Sequence, residues 1–261
     1  MKKQVIFCFL MALSMGVLAQ EPSPDTTWKK KYRYTGERIN NLSHTKLEVS
    51  FDYNKSYLYG KAWITLSPHF YPTDSLQLDA KGMTINKVSL VKSAGSMVPL
   101  KYEHDGMSMN IKLDKTYKKN EKYTIYIDYI AKPDEFEATQ GEKMLGVKGL
   151  YFINPKGEDK EKPTQIWTQG ETESSSAWFP TIDKTNQKTT QEMYMTVPAK
   201  YVTLSNGKLV SQKNNGNGTR TDYWKMDLPH APYLFFMGVG EYAVVKDSWR
   251  GKEVNYYVEK E

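Results

Sequence analysis

The sequence predicts an all-β protein, with about a dozen mostly antiparallel strands in a sandwich-like arrangement. Three observations support this prediction. Short segments of alternating apolar and polar residues recur along the chain at regular spacing. Tyr accounts for 19 of the 261 residues, and aromatic residues favour strands. No stretch shows helical periodicity over more than a turn or two.

Six segments in the N-terminal half show the strand pattern, and they are LEVSFDY (47–53), YLYGKAWITL (57–66), SLQLDA (75–80), MTINKVSLVK (83–92), MSMNIKL (107–113) and YTIYIDYI (123–130). In the first, apolar side chains occupy every second position, which predicts one buried face. The second returns as its partner after a turn at residues 54–56. Lys81-Gly82 predicts a hairpin-like break between the third and the fourth. Pro133 ends this run of strands.

Residues 131–164 are charged and nearly without periodicity, apart from GLYFI (149–153). The strand pattern then resumes in EMYMTV (192–197), YVTLS (201–205), DYWKMDL (222–228), YLFFMGV (233–239), YAVV (242–245) and EVNYYV (253–258). The sequence NNGNG at residues 214–218 predicts a loop tip between two strands. No internal repeat or low-complexity linker interrupts the pattern, so we expect one domain over residues 41–261.

The first twenty residues predict export. Two lysines precede an apolar run from Val5 to Leu18 that is too short for a membrane span. This pattern is typical of a secretory signal peptide, with cleavage after Ala19 or Gln20, and it predicts a periplasmic or extracellular protein. No cysteine follows the apolar run, which argues against a lipoprotein signal. Residues 21–40 are polar and contain proline, which predicts a leader before the domain.

Charge and cysteine content exclude some classes of protein. Cys8 is the only cysteine and lies in the predicted signal peptide, so the mature chain has no disulfide of its own. The chain carries 36 Lys and Arg against 30 Asp and Glu, and removal of Lys2 and Lys3 reduces the excess to four. These charges are scattered, whereas nucleic-acid binding requires a concentrated basic surface. We therefore expect no nucleic-acid partner.

The sequence lacks the common catalytic motifs. The histidines are His44, His69, His104 and His230. No two of them are four residues apart and H-E-x-x-H is absent, so we expect no metal site and no catalytic residue on this chain alone. Residues 174–176 are three serines without a nearby His to act as base. We interpret them as a small-residue loop or short helical turn before a buried Trp-Phe-Pro.

The most informative stretch is WTQGETESSSAWFPTID (167–183). As extended chain, it would place Gln169 and Glu171 on one face and Gly170 on the other, where another backbone could come close. An amide carbonyl beside a carboxylate suits a cation with several N–H donors, such as an ammonium group. On spacing alone, however, a polar edge strand that faces solvent is the simpler interpretation.

The same stretch resembles a family motif. Thr168-Gln169-x-Glu171, then Ala177-Trp178-Phe179-Pro180, Asp183 and Lys188, is similar to T-Q-x-E…A-x-x-x-F-P-C-x-D-E-P…K of the aminopeptidase N family. These are zinc metallopeptidases, and they include the leukotriene hydrolase-type enzymes. The likeness covers residues 42–258. The departures are Thr181-Ile182 for Cys-Phe, Lys184-Thr185 for Glu-Pro, and serines in place of an arginine pair.

The resemblance implies that residues 41–261 form the family's non-catalytic N-terminal domain, a saddle-shaped β-structure that closes one side of the active site. Glu171 would then bind the free α-amino group of a peptide substrate, and Gln169 would line the first side-chain pocket. The family's G-A-M-E-N and H-E-x-x-H segments do not occur in these 261 residues. Zinc and the catalytic residues of the parent aminopeptidase would therefore come from a downstream or separate catalytic domain, and this chain alone would be inactive.

Two other functions remain open from the sequence. The chain could be a stand-alone secreted β-sandwich module that binds peptide or polysaccharide through exposed Tyr and Trp side chains. It could also be an inactive remnant that docks on a related enzyme. DNA beyond the codon for Glu261 that encodes G-A-M-E-N and H-E-x-x-H would favour the aminopeptidase interpretation, and a stop codon there would favour the other two.

Overall fold

The computed structural model describes residues 37–140 and 148–260. The described residues from Arg38 onwards belong to one compact unit. The signal peptide predicted for residues 1–20, and most of the leader predicted for residues 21–40, lie outside the described residues. No helix in the described part of the chain is long and apolar enough to cross a membrane.

The described residues contain seventeen strands and one α-helix of eight residues. The elements in chain order are β1 (Asn40–Asp52), β2 (Tyr57–Pro68), β3 (Thr73–Asp79), β4 (Thr84–Val91), β5 (Met97–Pro99), β6 (Tyr102–His104), β7 (Ser108–Tyr117), β8 (Tyr123–Ala131), α1 (Pro133–Gln140), β9 (Leu150–Ile153), β10 (Gln165–Thr168), β11 (Thr189–Pro198), β12 (Val202–Ser205), β13 (Lys208–Asn214), β14 (Thr219–His230), β15 (Met237–Gly240), β16 (Ala243–Trp249) and β17 (Lys252–Val258).

These strands form four sheets, which confirms the predicted all-β, sandwich-like fold. The largest has eight strands in the order β13-β14-β11-β1-β2-β8-β4-β5. A four-stranded sheet has the order β12-β15-β10-β9, a three-stranded sheet β3-β7-β6, and β16 pairs with β17. All pairs are antiparallel except β1 with β11, which run parallel. The predicted preference for antiparallel pairing is therefore correct.

The alternation read from the sequence sets which side chains enter the core. In β1, Leu47 and Val49 are buried, and in β2 Leu58 and Ile64 are fully buried. The two strands pair as the predicted hairpin around residues 54–56. The same apolar core includes side chains from β3, β7, β9 and β15, so the three-stranded and four-stranded sheets pack on the inner face of the large one.

Three details differ from the sequence-based expectation. β3 pairs with β7 and β4 pairs with β8, so Lys81-Gly82 joins strands of different sheets and is not a hairpin turn. α1 occupies a stretch for which no helix was predicted. Its signals were Pro133 at the first helical position and acidic residues in the first turn. β13 was missed because all seven of its residues are exposed and show no alternation.

Gly60 in β2 allows the close packing of a fully buried tyrosine from the neighbouring strand. Gly60 pairs with Tyr129 of β8, and a Cβ built at Gly60 would lie 2.2 Å from Cζ of that ring. Tyr129 is 1% exposed and belongs to the apolar core. The ring has no room to retreat without disturbing its neighbours, because protein cores are close-packed.

We therefore expect Gly60→Ala to lower the free energy of unfolding by about 1–3 kcal/mol, the usual cost of overpacking a core. Urea denaturation followed by tryptophan fluorescence measures this change. Lys61→Ala, on the exposed face one position along, is the matched control and should stay within about 0.5 kcal/mol of the parent protein. Equal stability of Gly60→Ala and the parent would contradict this account of the packing.

Candidate functional site

The stretch singled out in the sequence begins on a central strand of the four-stranded sheet. β10 lies between β15 and β9 and ends at Thr168. The Thr168 hydroxyl accepts a hydrogen bond from the Met237 backbone N–H at 3.0 Å and donates to the Phe235 carbonyl at 3.3 Å. The Gln169 N–H donates to the Gly149 carbonyl at 2.9 Å. Neighbouring segments on both sides therefore fix the backbone that leads into Gln169.

Gly170 is buried against a second backbone segment. A Cβ built on it would lie 2.2 Å from the carbonyl oxygen of Tyr233 and 2.5 Å from the Ser175 hydroxyl. No larger residue fits without moving main-chain atoms. The close backbone approach that the sequence predicted for this glycine is thus confirmed, and its partner is the segment before β15.

Gln169 and Glu171, the two predicted site residues, are both exposed on either side of the buried Gly170. Within residues 37–140 and 148–260, neither side chain forms a hydrogen bond or ion pair. The hydrogen-bonded strand ends at Thr168 and a turn begins at Glu171. The Glu171–Thr172 peptide bond is cis. Both polar side chains nevertheless remain accessible to a ligand.

The serine run that follows holds the turn together. The Ser174 hydroxyl donates to the Glu171 carbonyl at 3.1 Å, and the Ser176 hydroxyl donates to the Glu173 carbonyl at 3.3 Å. The Ser175 hydroxyl donates to the Pro232 carbonyl at 2.9 Å. Residues Ser175–Ala177 form a short 3₁₀ helix. The prediction of a short helical turn of small residues is confirmed, and these hydroxyls bind main chain.

The Trp-Phe-Pro that follows the serines anchors the turn in the core. Trp178 and Phe179 are fully buried, and the ring of Phe179 stacks on Phe235 with centroids 5.1 Å apart. Thr181, which stands where the family motif has Cys, is also buried and exchanges two backbone hydrogen bonds with Asp79 at the end of β3. The turn is therefore attached to the three-stranded sheet at β3 and to the segment before β15 of the four-stranded sheet.

Asp183 is a buried carboxyl group beneath this turn. It is 2% exposed, and its Oδ2 accepts a hydrogen bond from the Ser176 N–H at 2.8 Å. Its own N–H donates to the Asp79 carboxylate at 2.9 Å. Burial raises the pKa of Asp183 to about 6, and the hydrogen bond from Ser176 only partly offsets this effect.

Two lysines that sequence reasoning did not assign to the site contact the same turn. The Lys81 ammonium donates to the Glu173 carbonyl at 2.5 Å, and the Lys184 ammonium binds the Glu173 carboxylate at 2.6 Å. Partial burial lowers the pKa of Lys184, but the Glu173 carboxylate outweighs it and raises the pKa overall. The partner of Lys81 is distant in the sequence, so no local pattern predicts this contact. The only sequence signal is that Lys81 follows a predicted strand.

The histidines do not converge on a metal site. His44 of β1 contacts Thr190 and His230 of β14 contacts Gln191, on opposite sides of β11, and His104 contacts the Ala80 carbonyl. In the part of the chain that the structure describes, no group of three or more His, Cys, Asp or Glu side chains could hold a metal ion.

Comparison with known proteins identifies the class. The sequence model of the peptidase M1 N-terminal domain matches residues 40–234. This match covers most of the chain, and the chain therefore belongs to the M1 metallopeptidase family, as an N-terminal domain. The resemblance read from the motif around Glu171 is confirmed at the level of the family.

Solved structures of the family share the fold. A two-domain M1 zinc metallopeptidase bound to L-tryptophan superposes with a TM-score of 0.68 at 17% identity, over 86% of this chain and 48% of that one. The M1 zinc metallopeptidase of Deinococcus radiodurans bound to a Tyr-Ser-Ala substrate gives a TM-score of 0.66 at 16% identity, over 84% and 47%. The present chain thus spans about half the length of these proteins.

A relative of another kind also matches part of the chain. Transcription initiation factor TFIID subunit 2 of Danio rerio is 28% identical over 104 residues, which are 39% of this chain and 9% of that protein. The Gallus gallus protein of the same name is 26% identical over 104 residues. Sequences related to this domain therefore occur in proteins that are not named as peptidases.

The buried Asp183 predicts a distinctive pH dependence of stability. Its pKa is about 6 in the folded protein and near the ordinary value of 3.8 in the unfolded chain. Between these values the folded state binds more protons, so this group makes the free energy of unfolding fall as the pH rises. Over the whole window the effect is about 2–3 kcal/mol.

Asp183→Asn removes this titration while the amide oxygen can still accept the Ser176 N–H. We expect the free energy of unfolding of the variant, minus that of the parent, to increase by about 2–3 kcal/mol between about pH 4 and pH 6.5. Urea denaturation curves at several pH values measure the difference. Parallel stability profiles for the two proteins would show that Asp183 titrates normally in the folded state.

Proposed function

We propose that this chain is the N-terminal domain of an exported zinc aminopeptidase and binds the free amino terminus of peptide substrates through Glu171 and Gln169. The parent reaction is hydrolysis of the first peptide bond, with zinc held by a catalytic domain beyond the described residues. This chain contributes the anionic contact that holds the substrate ammonium group at a fixed distance from the metal.

The observation that carries this proposal is the placement of Glu171. Its carboxylate is exposed and without a protein partner in the described residues, yet its turn is bound by hydrogen bonds and buried aromatic rings. An exposed carboxylate on a fixed backbone is prepared to bind a cation with little further ordering. The amide oxygen of Gln169 supplies a second acceptor for the same group.

Solved neighbours support the choice of ligand. Crystals of M1 zinc metallopeptidases hold L-tryptophan, L-arginine or the peptide Tyr-Ser-Ala. Free amino acids and this tripeptide all carry an α-ammonium group. A charge-assisted hydrogen bond to that group contributes about 1.5–3 kcal/mol, enough to separate free-amine peptides from blocked ones.

A second candidate is a non-catalytic binding module for peptide or polysaccharide. The match to TFIID subunit 2 supports this alternative, because the name of that protein does not describe a peptidase. Exposed aromatic side chains are also present, among them Tyr71 at 84% and Trp249 at 59% exposure. Binding by such a module would not depend on Glu171 or on a free amino terminus, and this separates the two candidates.

The role of Glu171 can be tested by enzyme kinetics in a polypeptide that joins residues 37–260 to a catalytic domain of the family. We expect Glu171→Ala to lower kcat/KM for free-amine peptides by about 10–100-fold, because one charged contact to the ammonium is lost. Glu158→Gln, in an exposed loop, is the control and should leave kcat/KM unchanged. Unaltered kinetics of Glu171→Ala would remove the anchoring role.

The assignment of catalysis to another domain can be tested on this chain alone. We expect the purified mature protein neither to retain zinc in stoichiometric amount after dialysis nor to cleave aminoacyl-nitroanilides, because H-E-x-x-H is absent from its sequence. Elemental analysis and a chromogenic assay test both points. Hydrolysis that a chelator abolishes would refute the assignment of the catalytic residues to another domain.

A further inference from the structure

The segment that follows β3 is hydrogen-bonded to the turn that carries Glu171. The Lys81 N–H donates to the Ser176 carbonyl at 2.8 Å, so the two segments run side by side. The Lys81 side chain then reaches across and donates its ammonium to the Glu173 carbonyl at 2.5 Å. One residue thus binds the turn at two main-chain positions.

We propose that Lys81 is a positioning residue for substrate binding, because it fixes the turn on which the Glu171 carboxylate stands. This inference rests on the proposed function of Glu171. Lys81 itself does not touch the substrate. Its contact at the Glu173 carbonyl lies two residues beyond Glu171, within the same turn, and therefore limits how far the carboxylate can move.

The chemistry of the contact explains why a lysine is needed here. A hydrogen bond from an ammonium group to a carbonyl is charge-assisted and stronger than one between neutral groups. The Glu173 carbonyl has one other side-chain donor, the Ser176 hydroxyl at 3.3 Å. Within the described residues, Lys81 is the only charged side chain that donates to a main-chain carbonyl of residues 171–176. Its loss leaves only the weaker neutral contact.

Lys184 offers a natural comparison, because it contacts the same residue in a different way. Its ammonium pairs with the Glu173 carboxylate at 2.6 Å, but the two side chains are 50% and 44% exposed. Exposed ion pairs of this kind contribute little, since water and salt screen them and both side chains lose freedom. Lys184 binds a side chain at the surface, whereas Lys81 binds the backbone of the turn.

The test is an NMR titration of the isotope-labelled mature chain. It measures how much more tightly the chain binds a free-amine peptide than the same peptide with a blocked amine. The probes are Ala-Ala-amide and its N-acetyl form, and the readout is the ratio of their dissociation constants. We expect Lys81→Met to reduce this ratio by about three- to tenfold, because a displaced carboxylate binds the ammonium less well. Lys81→Arg, which keeps a cationic donor, should retain most of the selectivity, and Lys184→Met should change it by less than about twofold.

Each outcome decides a separate point. Equal affinity of the parent chain for both probes, or selectivity that survives in Glu171→Gln, overturns the proposed function and this inference with it. Selectivity that depends on Glu171 but is intact in folded Lys81→Met overturns the positioning role alone. Should Lys81→Met fail to fold, the same comparison with Lys81→Gln, whose side chain is shorter and uncharged, decides by the same criterion.

Discussion

The close approach of the Gly170 backbone to the Tyr233 carbonyl is the constraint on which the candidate site depends. A side chain of any size at residue 170 would collide with main-chain atoms, so the two segments can approach this closely only with glycine at that position. That contact places Gln169 and Glu171 beside the loop before β15. Hydrogen bonds from the serines and the stacking of Phe179 on Phe235 then prevent the turn from relaxing.

Polar groups around the turn have distinct roles that follow from their exposure. Buried groups, such as Asp183 and the hydroxyl of Ser175, use their hydrogen-bonding capacity within the protein. The exposed carboxylate of Glu171 has no such partner among the described residues, and an unpaired anion at the surface is available to a cationic ligand. Buried residues that stabilise the fold and an exposed charge that can bind a ligand therefore lie only a few positions apart in the sequence.

Sequence reasoning succeeded where structure follows from local pattern. The alternation in β1 and β2, the small-residue turn and the role of Gly170 could all be read from neighbouring residues. It failed where partners are distant in the chain, as with β3 and β4, which belong to different sheets, and with Lys81, whose acceptor lies 92 residues away. β13 gave no signal because hydrogen bonds to β14 alone hold it in the sheet, with no buried face.

The parallel pairing of β1 with β11 has a consequence for how the protein is made. β1 lies near the centre of the large sheet, yet one of its two neighbours is synthesised 146 residues later. Until β11 emerges from the ribosome, β1 exposes an unpaired backbone edge, which is a template for association with other chains. Long-range closure of this kind slows folding. Protection of this edge until β11 has been synthesised is thus a requirement of the topology itself.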